Sequence, residues 1–574
     1  MNKNLLKAFF ITAMLLPIAA SADNCFIRSH PTSDPAPYVY TDGNGVQTVY
    51  LFCTQDKIVG GSDYPIDTIH CYSTTDMFHW KDAGVALNEK SVPWANDQDK
   101  LWAPTVYYLK GVYQLICPEE ATDGKQYNFT SHAATPAGPF TPATVGELPG
   151  SVATVIDPFV FADTTDSIRI WLSYRHQDGD DLGFVRMNDS GTAVTGDINN
   201  DIVATGDGAG DQPTRYYEGS WMFKRNGFYF LVYAEERNNA NEIIAYSTSH
   251  SASGPWTYKG QIFAANASEW TIHSGVCFFK GQWYAFWHNI TFGGDILGSK
   301  RCTGVEYMRF KNDSTIDTSG LTKSNRGVGV PSAYTDSIQI DRGVINGAST
   351  SAHAYNYVKA GANDVADTGW YIDAITNNAT VIYDSVNFTP DSGMTGPVSF
   401  TVQEASTVAR DTIIAYLDSV KGQLLAKMAI PITGSLTTWQ TITVNDTVTP
   451  LPAGHHNFAI AFKVPTGSNN LEINWVKFGE KPVSTAVIPN NAGGVPSLFS
   501  CKRLGRSVFE INCTEASEIR LVNLAGSEAA DLTLGRTPDS KNVLVSFDAK
   551  KLSSGVYILS VKNRDGLFHH QFVF

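Results

Sequence analysis

The sequence predicts an all-β protein: a five-bladed β-propeller, then a β-sandwich, then a small C-terminal β domain. Three observations carry that prediction. A short segment that leads into an apolar strand, answered by a second, aromatic-rich strand, recurs five times at intervals of roughly 50–70 residues, a spacing that fits propeller blades. Glycine-aromatic turns join the paired strands at Lys110-Gly111-Val112-Tyr113, Asn226-Gly227-Phe228-Tyr229 and Lys280-Gly281-Gln282-Trp283. A further strand-and-turn element recurs in phase: Tyr72 to Asp76 with Trp80, Ser131-His132 with Gly138-Pro139-Phe140, and Tyr246 to Ser249 with Gly254-Pro255-Trp256.

The five openings are Asp34-Pro35-Ala36-Pro37, Trp102-Ala103-Pro104, Asp157-Pro158-Phe159, Glu218-Gly219-Ser220-Trp221 and His273-Ser274-Gly275. Their answering strands are Thr48 to Cys53, Val112 to Cys117, Ile168 to Tyr174, Phe228 to Ala234 and Trp283 to Asn289. The propeller is expected over residues 24–317. A Ser/Thr/Asn/Gly-rich stretch, Asp313 to Pro331, reads as a linker. Short alternating strands such as Ser399 to Val402, Ile413 to Leu417 and Asn457 to Phe462 predict a sandwich over residues 332–479. Pro482, Pro489, Pro496 and Gly493-Gly494 mark a second linker, and residues 497–574 form the last β unit.

Residues 1–22 read as a signal peptide: Lys3 and Lys7, an apolar run from Ala8 to Ala20, and the small-residue site Ala20-Ser21-Ala22. The run is too short to span a bilayer and has no second counterpart, so an exported protein without a membrane span is expected. A net charge of −14 over 574 residues argues against nucleic acid and anionic membranes as partners. With 12% aromatic and only 17% charged residues, the composition suits a secreted protein that handles sugars or other flat, weakly charged ligands. The eight cysteines are compatible with disulfides; Cys53/Cys71 and Cys277/Cys302 fall on neighbouring strands, and Cys501/Cys513 flank a hairpin. No Cys-x-x-Cys spacing points to zinc.

In a propeller the innermost strand of each blade lines the central funnel, so the five opening residues converge. Three of them, Asp34, Asp157 and Glu218, are carboxylates. Glycosidic bond cleavage needs one carboxyl group protonated and one ionised, and a third acid nearby helps keep the first protonated. A lone Asp-Pro ordinarily only starts a strand after a turn; three acids in phase across one repeat need another explanation. His273 opens the fifth unit and could bind hydroxyls, hold a water, ligate an ion or be a satisfied core histidine. Arg301 either bridges a carboxylate and the sugar or lies on the surface. The pairs His455-His456 and His569-His570 fall on strands, where neighbours face opposite ways, and read as structural.

These residues carry a resemblance. Ser33 to Pro37, Tyr72 to Met77, Ile156-Asp157-Pro158, Glu218 to Gly227, Ile244 to Ser249 and Arg301 to Glu306 resemble, in order, glycoside hydrolase family 43, and within it the arabinofuranosidases that act on arabinoxylan. The resemblance implies a five-bladed propeller and an inverting mechanism, with Asp34 as general base, Glu218 as general acid and Asp157 tuning and orienting the acid. It further implies that Trp102 shapes the sugar pocket, that His273 and Arg301 support substrate and carboxylates, and that no cofactor is required, although a calcium ion beside His273 is compatible with the family. Ala415 to Ser419, Trp439-Gln440-Thr441 and Ile473 to Phe478 resemble carbohydrate-binding modules of family 6. There Trp370 matches one wall of the usual sugar cleft, while Leu436 and Glu472 depart from the other; Trp439 and Trp475 match core positions. Leu552 to Leu559 and the closing strand Phe568 to Phe574 resemble type IX secretion sorting domains, which would make the secretion machinery a partner. Two other readings stand beside the leading one: β-xylosidase or another family 43 specificity, and a non-catalytic propeller that only adheres to polysaccharide.

Overall fold

The computed structural model describes residues 26–27, 31–57, 65–143, 148–163, 169–176, 181–195, 215–237, 241–264, 271–289, 301–323, 326–352, 370–390, 394–445, 453–465, 467 and 469–482, and in the tail 500–505, 508–512, 518–523, 532–536, 542–547, 556–563 and 566–573. The signal-peptide reading and Cys513 lie outside them. The described residues are strands joined by turns and three short 3-10 segments, with no α-helix. No helix among them is long and apolar enough to cross a membrane. The chain divides into two compact units, residues 1–330 with 339–375, and residues 331–338 with 376–574.

The first unit holds five antiparallel sheets that follow one another along the chain. The first is β1 (Thr32–Thr41), β2 (Gln47–Gln55), β3 (Thr68–Thr74) and β4 (Lys81–Asn88). The second is β5 (Thr105–Leu109), β6 (Val112–Glu120), β7 (Gln126–Ala133) and β8 (Thr141–Pro142). The third is β9 (Val155–Asp163), β10 (Arg169–His176) and β11 (Asp181–Arg186). The fourth is β12 (Arg215–Arg225), β13 (Phe228–Arg237), β14 (Asn241–Ser249) and β15 (Thr257–Phe263). The fifth is β16 (Val276–Phe279), β17 (Gln282–Asn289), β18 (Cys302–Asn312) and β19 (Thr315–Asp317). Each sheet is an up-and-down meander, because antiparallel neighbours need only a short turn. At Lys110-Gly111, Asn226-Gly227 and Lys280-Gly281 both central residues have positive φ, as twisted two-residue hairpins require.

The first strands of the sheets touch in a closed cycle: β1 meets β5, β5 meets β9, β9 meets β12, β12 meets β16, and β16 meets β1. Among the described residues, apolar clusters fill the space between each pair of adjacent sheets. Phe52, Leu115 and Phe129 join the first and second sheets; Ile116, Val160 and Leu172 the second and third; Phe159, Phe184 and Leu231 the third and fourth; Phe230, Val276 and Trp287 the fourth and fifth. Leu51, Tyr72, Phe279 and Phe286 close the ring between the fifth and the first. Burying both faces of every sheet in this way is what a radial propeller achieves and an open sheet cannot. Thr32 N–H donates to Arg301 O at 3.0 Å, fastening the chain's early strand beside β18.

The stretch Asp313 to Pro331 is not the plain linker that its composition predicts. Thr315–Asp317 form the outermost strand of the fifth sheet, and Leu321 and Val328 are buried in the neighbouring clusters. Two disulfide expectations are also overturned. Cys53 and Cys71 are free, buried thiols. On β2 and β3, Cys53 lies opposite His70 while Cys71 lies opposite Phe52, so the offset of one residue sends their side chains to opposite faces of the sheet. Cys277 is free as well, whereas Cys302 is disulfide-bonded to another partner. Cys277 lies opposite Tyr284, and Cys302 opposite Asn289, which places them about 17 Å apart along the strands at ~3.3 Å per residue.

In the second unit, Met394–Ser406 pairs with Gln440–Val444 on one side and Leu471–Pro482 on the other. A second sheet runs Thr380–Asn387, His455–Lys463, Thr412–Leu417, Leu424–Ala429. The Phe400, Phe458 and Phe388 rings converge on Phe478 at 5.0, 5.5 and 5.6 Å and fill the space between the two layers. The tail strands form one sheet of Ser500–Gly505, Val508–Asn512, Asn542–Phe547 and Leu532–Arg536, and another of Glu518–Asn523, Val556–Asn563 and Gly566–Val573. In the first unit, Ala352 lies opposite Trp370 in the short hairpin of Ser349–Ala352 and Trp370–Asp373.

Candidate active site

The three opening acids sit where their strands lose register. β1 slips against β2 between Ser33 and Ala36, β9 against β10 around Asp157, and β12 against β13 on both sides of Glu218. A bulge takes one side chain out of the in-and-out alternation and re-aims it. Asp34 and Asp157 share one conformation, φ 52° and 53°, in the left-handed region that aspartate tolerates through local hydrogen bonding. The proline after each has no ladder hydrogen bond to lose at a bulge. At Glu218 the left-handed turn falls on the next residue, Gly219, φ 62°.

The result is one cavity of about 190 Å³ lined by Asp34, Trp102, Asp157, Glu218, His273 and Arg301, together with Ile66, Ala103, Ile156, Arg175 and Thr271. Six of the seven site residues named from the sequence therefore meet in one place. The seventh, Trp370, belongs to the hairpin described above, and its side chain lies outside the described residues. Of the departures in the sandwich, Glu472 is buried and Leu436 half-buried; Trp439 and Trp475 are half-buried.

His273 is the hub. Its Nδ1 stands 3.3 Å from Asp34 Oδ1, and its Nε2 stands 3.5 Å from Asp157 Oδ2 and 3.4 Å from Glu218 Oε1. Burial works to strip the imidazole of its proton, but the charges of Asp157 and Asp34, reinforced by Glu218, outweigh it and hold its pKa well above the usual histidine value. Its neighbour His288 is held well below the usual value, by burial first and then by the charges of Arg301 and His273. The hydrogen bonds agree: His288 Nδ1 accepts the Asp34 N–H at 2.9 Å, and Nε2 bonds to Thr271 O, which fixes the neutral Nε2–H tautomer.

Two arginines complete the charge pattern. Arg301 grips Asp56 with a two-pronged fork, Nε to Oδ2 at 3.1 Å and Nη2 to Oδ1 at 2.8 Å, and donates from Nη1 to Asp34 Oδ1 at 3.2 Å. Arg175 Nη1 donates to Glu218 Oε2 at 2.7 Å, and its guanidinium lies 4.1 Å from the Tyr217 ring centroid. Thr54 Oγ1 donates to Asp34 Oδ2 at 2.5 Å. Asp34, Asp56, Asp157 and Glu218 are thus held against His273, Arg175 and Arg301.

Sequence reasoning missed Asp56, Arg175 and Glu242. Each is a charge at the end of an otherwise apolar strand, a signal present in the sequence but shared with many surface positions. Glu242 is fully buried, accepts the Ile272 N–H at 2.8 Å, and is pushed up to about 8 by burial first and by the charge of Glu218 next. It props the segment that presents His273.

The ligand atoms of Asp157, Glu218 and His273 lie within 4.8 Å of one another, so this cluster is the place to test the calcium expectation. Calcium takes about six to eight oxygen ligands, and this cluster offers two carboxylates and one imidazole nitrogen, so these three groups would supply only part of a calcium shell.

Comparison with known proteins identifies the class. Residues 31–316 match the model of glycosyl hydrolases family 43, and residues 349–480 match carbohydrate binding module (family 6). The chain carries a family 43 glycosyl hydrolase domain and a family 6 carbohydrate-binding module, and it is a glycoside hydrolase. Among its relatives, a xylosidase/arabinosidase of Bacteroides ovatus is 27% identical over 291 residues, 45% of this chain and 85% of the relative. An arabinoxylan arabinofuranohydrolase of Paenibacillus polymyxa is 25% identical over 481 residues, 76% of this chain and 71% of the relative. Among solved structures, a family 43 β-xylosidase/α-arabinofuranosidase from a compost microbial metagenome, in complex with xylotriose, is 25% identical and covers 53% of this chain and 98% of its own, with a TM-score of 0.45.

Proposed function

We propose that this chain is an inverting, exo-acting arabinofuranosidase that removes α-L-arabinofuranosyl side chains from arabinoxylan, working on a five-bladed propeller. The observation that carries this reading is the convergence of Asp34, Asp157 and Glu218 on the single imidazole ring of His273. In this proposal Asp34 is the general base that takes a proton from the attacking water, and Glu218 is the general acid that gives one to the departing glycosidic oxygen. Contacts of 3.3 and 3.4 Å on the two sides of one imidazole ring hold their nearest oxygens to about 9 Å or less, compatible with the roughly 6.5–9.5 Å that leaves room for water in an inverting reaction. Arg175 fixes the Glu218 carboxyl through Oε2, Arg301 and Thr54 fix Asp34, and Asp157 orients and tunes the acid from across His273. Trp102, half-buried at the cavity wall, offers a ring for the sugar's apolar face.

The branch within the family rests on the arrangement of the two modules. The arabinoxylan arabinofuranohydrolases of Paenibacillus polymyxa and Bacillus subtilis match 76% and 81% of this chain, beyond the propeller and into the sandwich, whereas the xylosidase/arabinosidase of Bacteroides ovatus matches 45%. Export through the N-terminal signal peptide, and passage through a type IX sorting step with the C-terminal β domain as the address, complete the proposal. The test is incubation with wheat arabinoxylan, arabinan and xylooligosaccharides, with the released sugars read by chromatography. Arabinose from arabinoxylan is expected; xylose from the oligosaccharides would turn the reading to β-xylosidase, and no release from any would leave a binding propeller. Glu218→Gln should lose about 10²–10⁴-fold on arabinoxylan and far less on an aryl arabinoside, whose leaving group needs no proton.

A further inference from the structure

A second cavity in the propeller lies apart from the acid site. It measures about 560 Å³ and is lined by Phe161, Asp163, Phe223, Lys224, Asn226, Phe278 and Trp283, among others. Its place follows from strand direction. Asp157 and Asp163 lie on the one strand β9, and Glu218 and Lys224 on the one strand β12, six residues apart in each case. That is about 20 Å at ~3.3 Å per residue, so this cavity opens at the opposite end of the inner strands from the acids.

We propose that this cavity is a second, non-catalytic carbohydrate site that takes a neutral pyranose chain. Its walls divide between rings and fixed polar groups. Phe278 is 48% exposed, an unusual position for a phenylalanine, and its ring lies 5.0 Å from that of Trp283, which in turn lies 4.8 Å from Phe223. In the same lining, Lys224 Nζ lies 3.4 Å from Asp163 Oδ2 and donates to Tyr229 Oη at 2.8 Å, and Asn226, whose Nδ2 donates to Asp313 Oδ1 at 2.8 Å, stands beside them. Pyranose rings present an apolar face for stacking and a rim of hydroxyls for such groups. The lysine and aspartate neutralise each other, so the cavity carries no net charge to select an ion. A volume of about 560 Å³ falls inside the roughly 300–1,000 Å³ of small-ligand sites. Gly227 at the rim adds no side chain to crowd it. The site would hold one part of a polysaccharide while the acids work elsewhere; this assignment rests on the sugar-directed reading of the propeller, but not on any reaction.

The experiment is amide hydrogen exchange of the full chain with and without xylohexaose, alongside turnover of an aryl arabinoside. Xylohexaose should protect peptides covering residues 222–228 and 276–283. Phe278→Ala, at an exposed position that leaves folding intact, should weaken that protection with a two- to tenfold higher half-saturating concentration, as loss of one stack worth roughly 0.5–1.5 kcal/mol implies. Phe278→Tyr should restore it, and aryl-arabinoside turnover should be unchanged in both. Absence of protection in these peptides at millimolar xylohexaose, equal protection in Phe278→Ala, or protection by an oligogalacturonate alone would each overturn the proposal. Protection without turnover of any glycoside would overturn the catalytic reading and leave this one standing.

Discussion

Gly219→Ala tests whether the placement of His273 governs the acids. A β-carbon at Gly219 would stand 2.7 Å from His273 Cδ2 and 2.9 Å from Cγ. Ordinary carbon–carbon contact begins near ~3.5 Å, so the ring must retreat by about 0.8 Å. The three carboxylates stand 3.3 to 3.5 Å from that ring, and the retreat pulls it out of the position they share. Misplacement on the order of 1 Å in a catalytic constellation costs about 10²-fold in rate, so kcat on an aryl arabinoside should fall by about that factor. The substitution also forces alanine into a φ of +62°, a strain of roughly 1–2 kcal/mol that lowers Tm without abolishing folding. Gly111→Ala separates the two effects, because Gly111 has φ +86° but open space around its β-carbon. That control should lose stability and keep full kcat. Wild-type kcat in a folded Gly219→Ala protein, or equal losses in both variants, would refute the reasoning.

Two further outcomes follow from buried groups. Glu242 is shifted upward from 4.5 to about 8, so its contribution to stability is complete below pH 4.5 and is lost as pH rises through the folded value. Glu242→Gln keeps an acceptor for Ile272 N–H and cannot titrate; its unfolding free energy relative to wild type should rise between pH 4.5 and 8 with a slope of up to about 1.4 kcal/mol per pH unit, and parallel urea-denaturation curves across that range would contradict the assignment. Alkylation of the denatured, unreduced protein should label the peptides of Cys53, Cys71, Cys117 and Cys277, and the Cys302 peptide only after reduction. Mass spectrometry that finds Cys53 linked to Cys71 would show the register of β2 and β3 to be wrong.

What could be read from the sequence was whatever repeats locally. The five opening segments, the hairpin glycines and the answering strands recur because each sheet solves the same problem: an up-and-down meander with tight turns and two apolar faces. The observed second strands contain most of the predicted spans, as with Phe228–Arg237 for Phe228 to Ala234. The site residues were legible for the same reason, since equivalent positions in a repeat point to equivalent places around an axis. Composition misled at Asp313 to Pro331, where polar residues surround Leu321 and Val328, two residues that tertiary packing buries.

Register and partnership were decided only by the tertiary structure. Whether Cys53 meets Cys71 depends on a one-residue offset between strands, and alternation with period two turns that offset into opposite faces. Asp56, Arg175 and Glu242 have no motif of their own; they matter because folding brings them to Arg301, Glu218 and the segment under His273 from distances of 245, 43 and 30 residues. The pKa of His273 is likewise a property of the assembled site. An isolated histidine titrates near ~6.5, and only the gathering of Asp34, Asp157 and Glu218 around one buried ring raises that value. The sequence by itself determined the sheets and the acids that open them, because those depend on neighbours along the chain; the electrostatics of the site depend on neighbours in space.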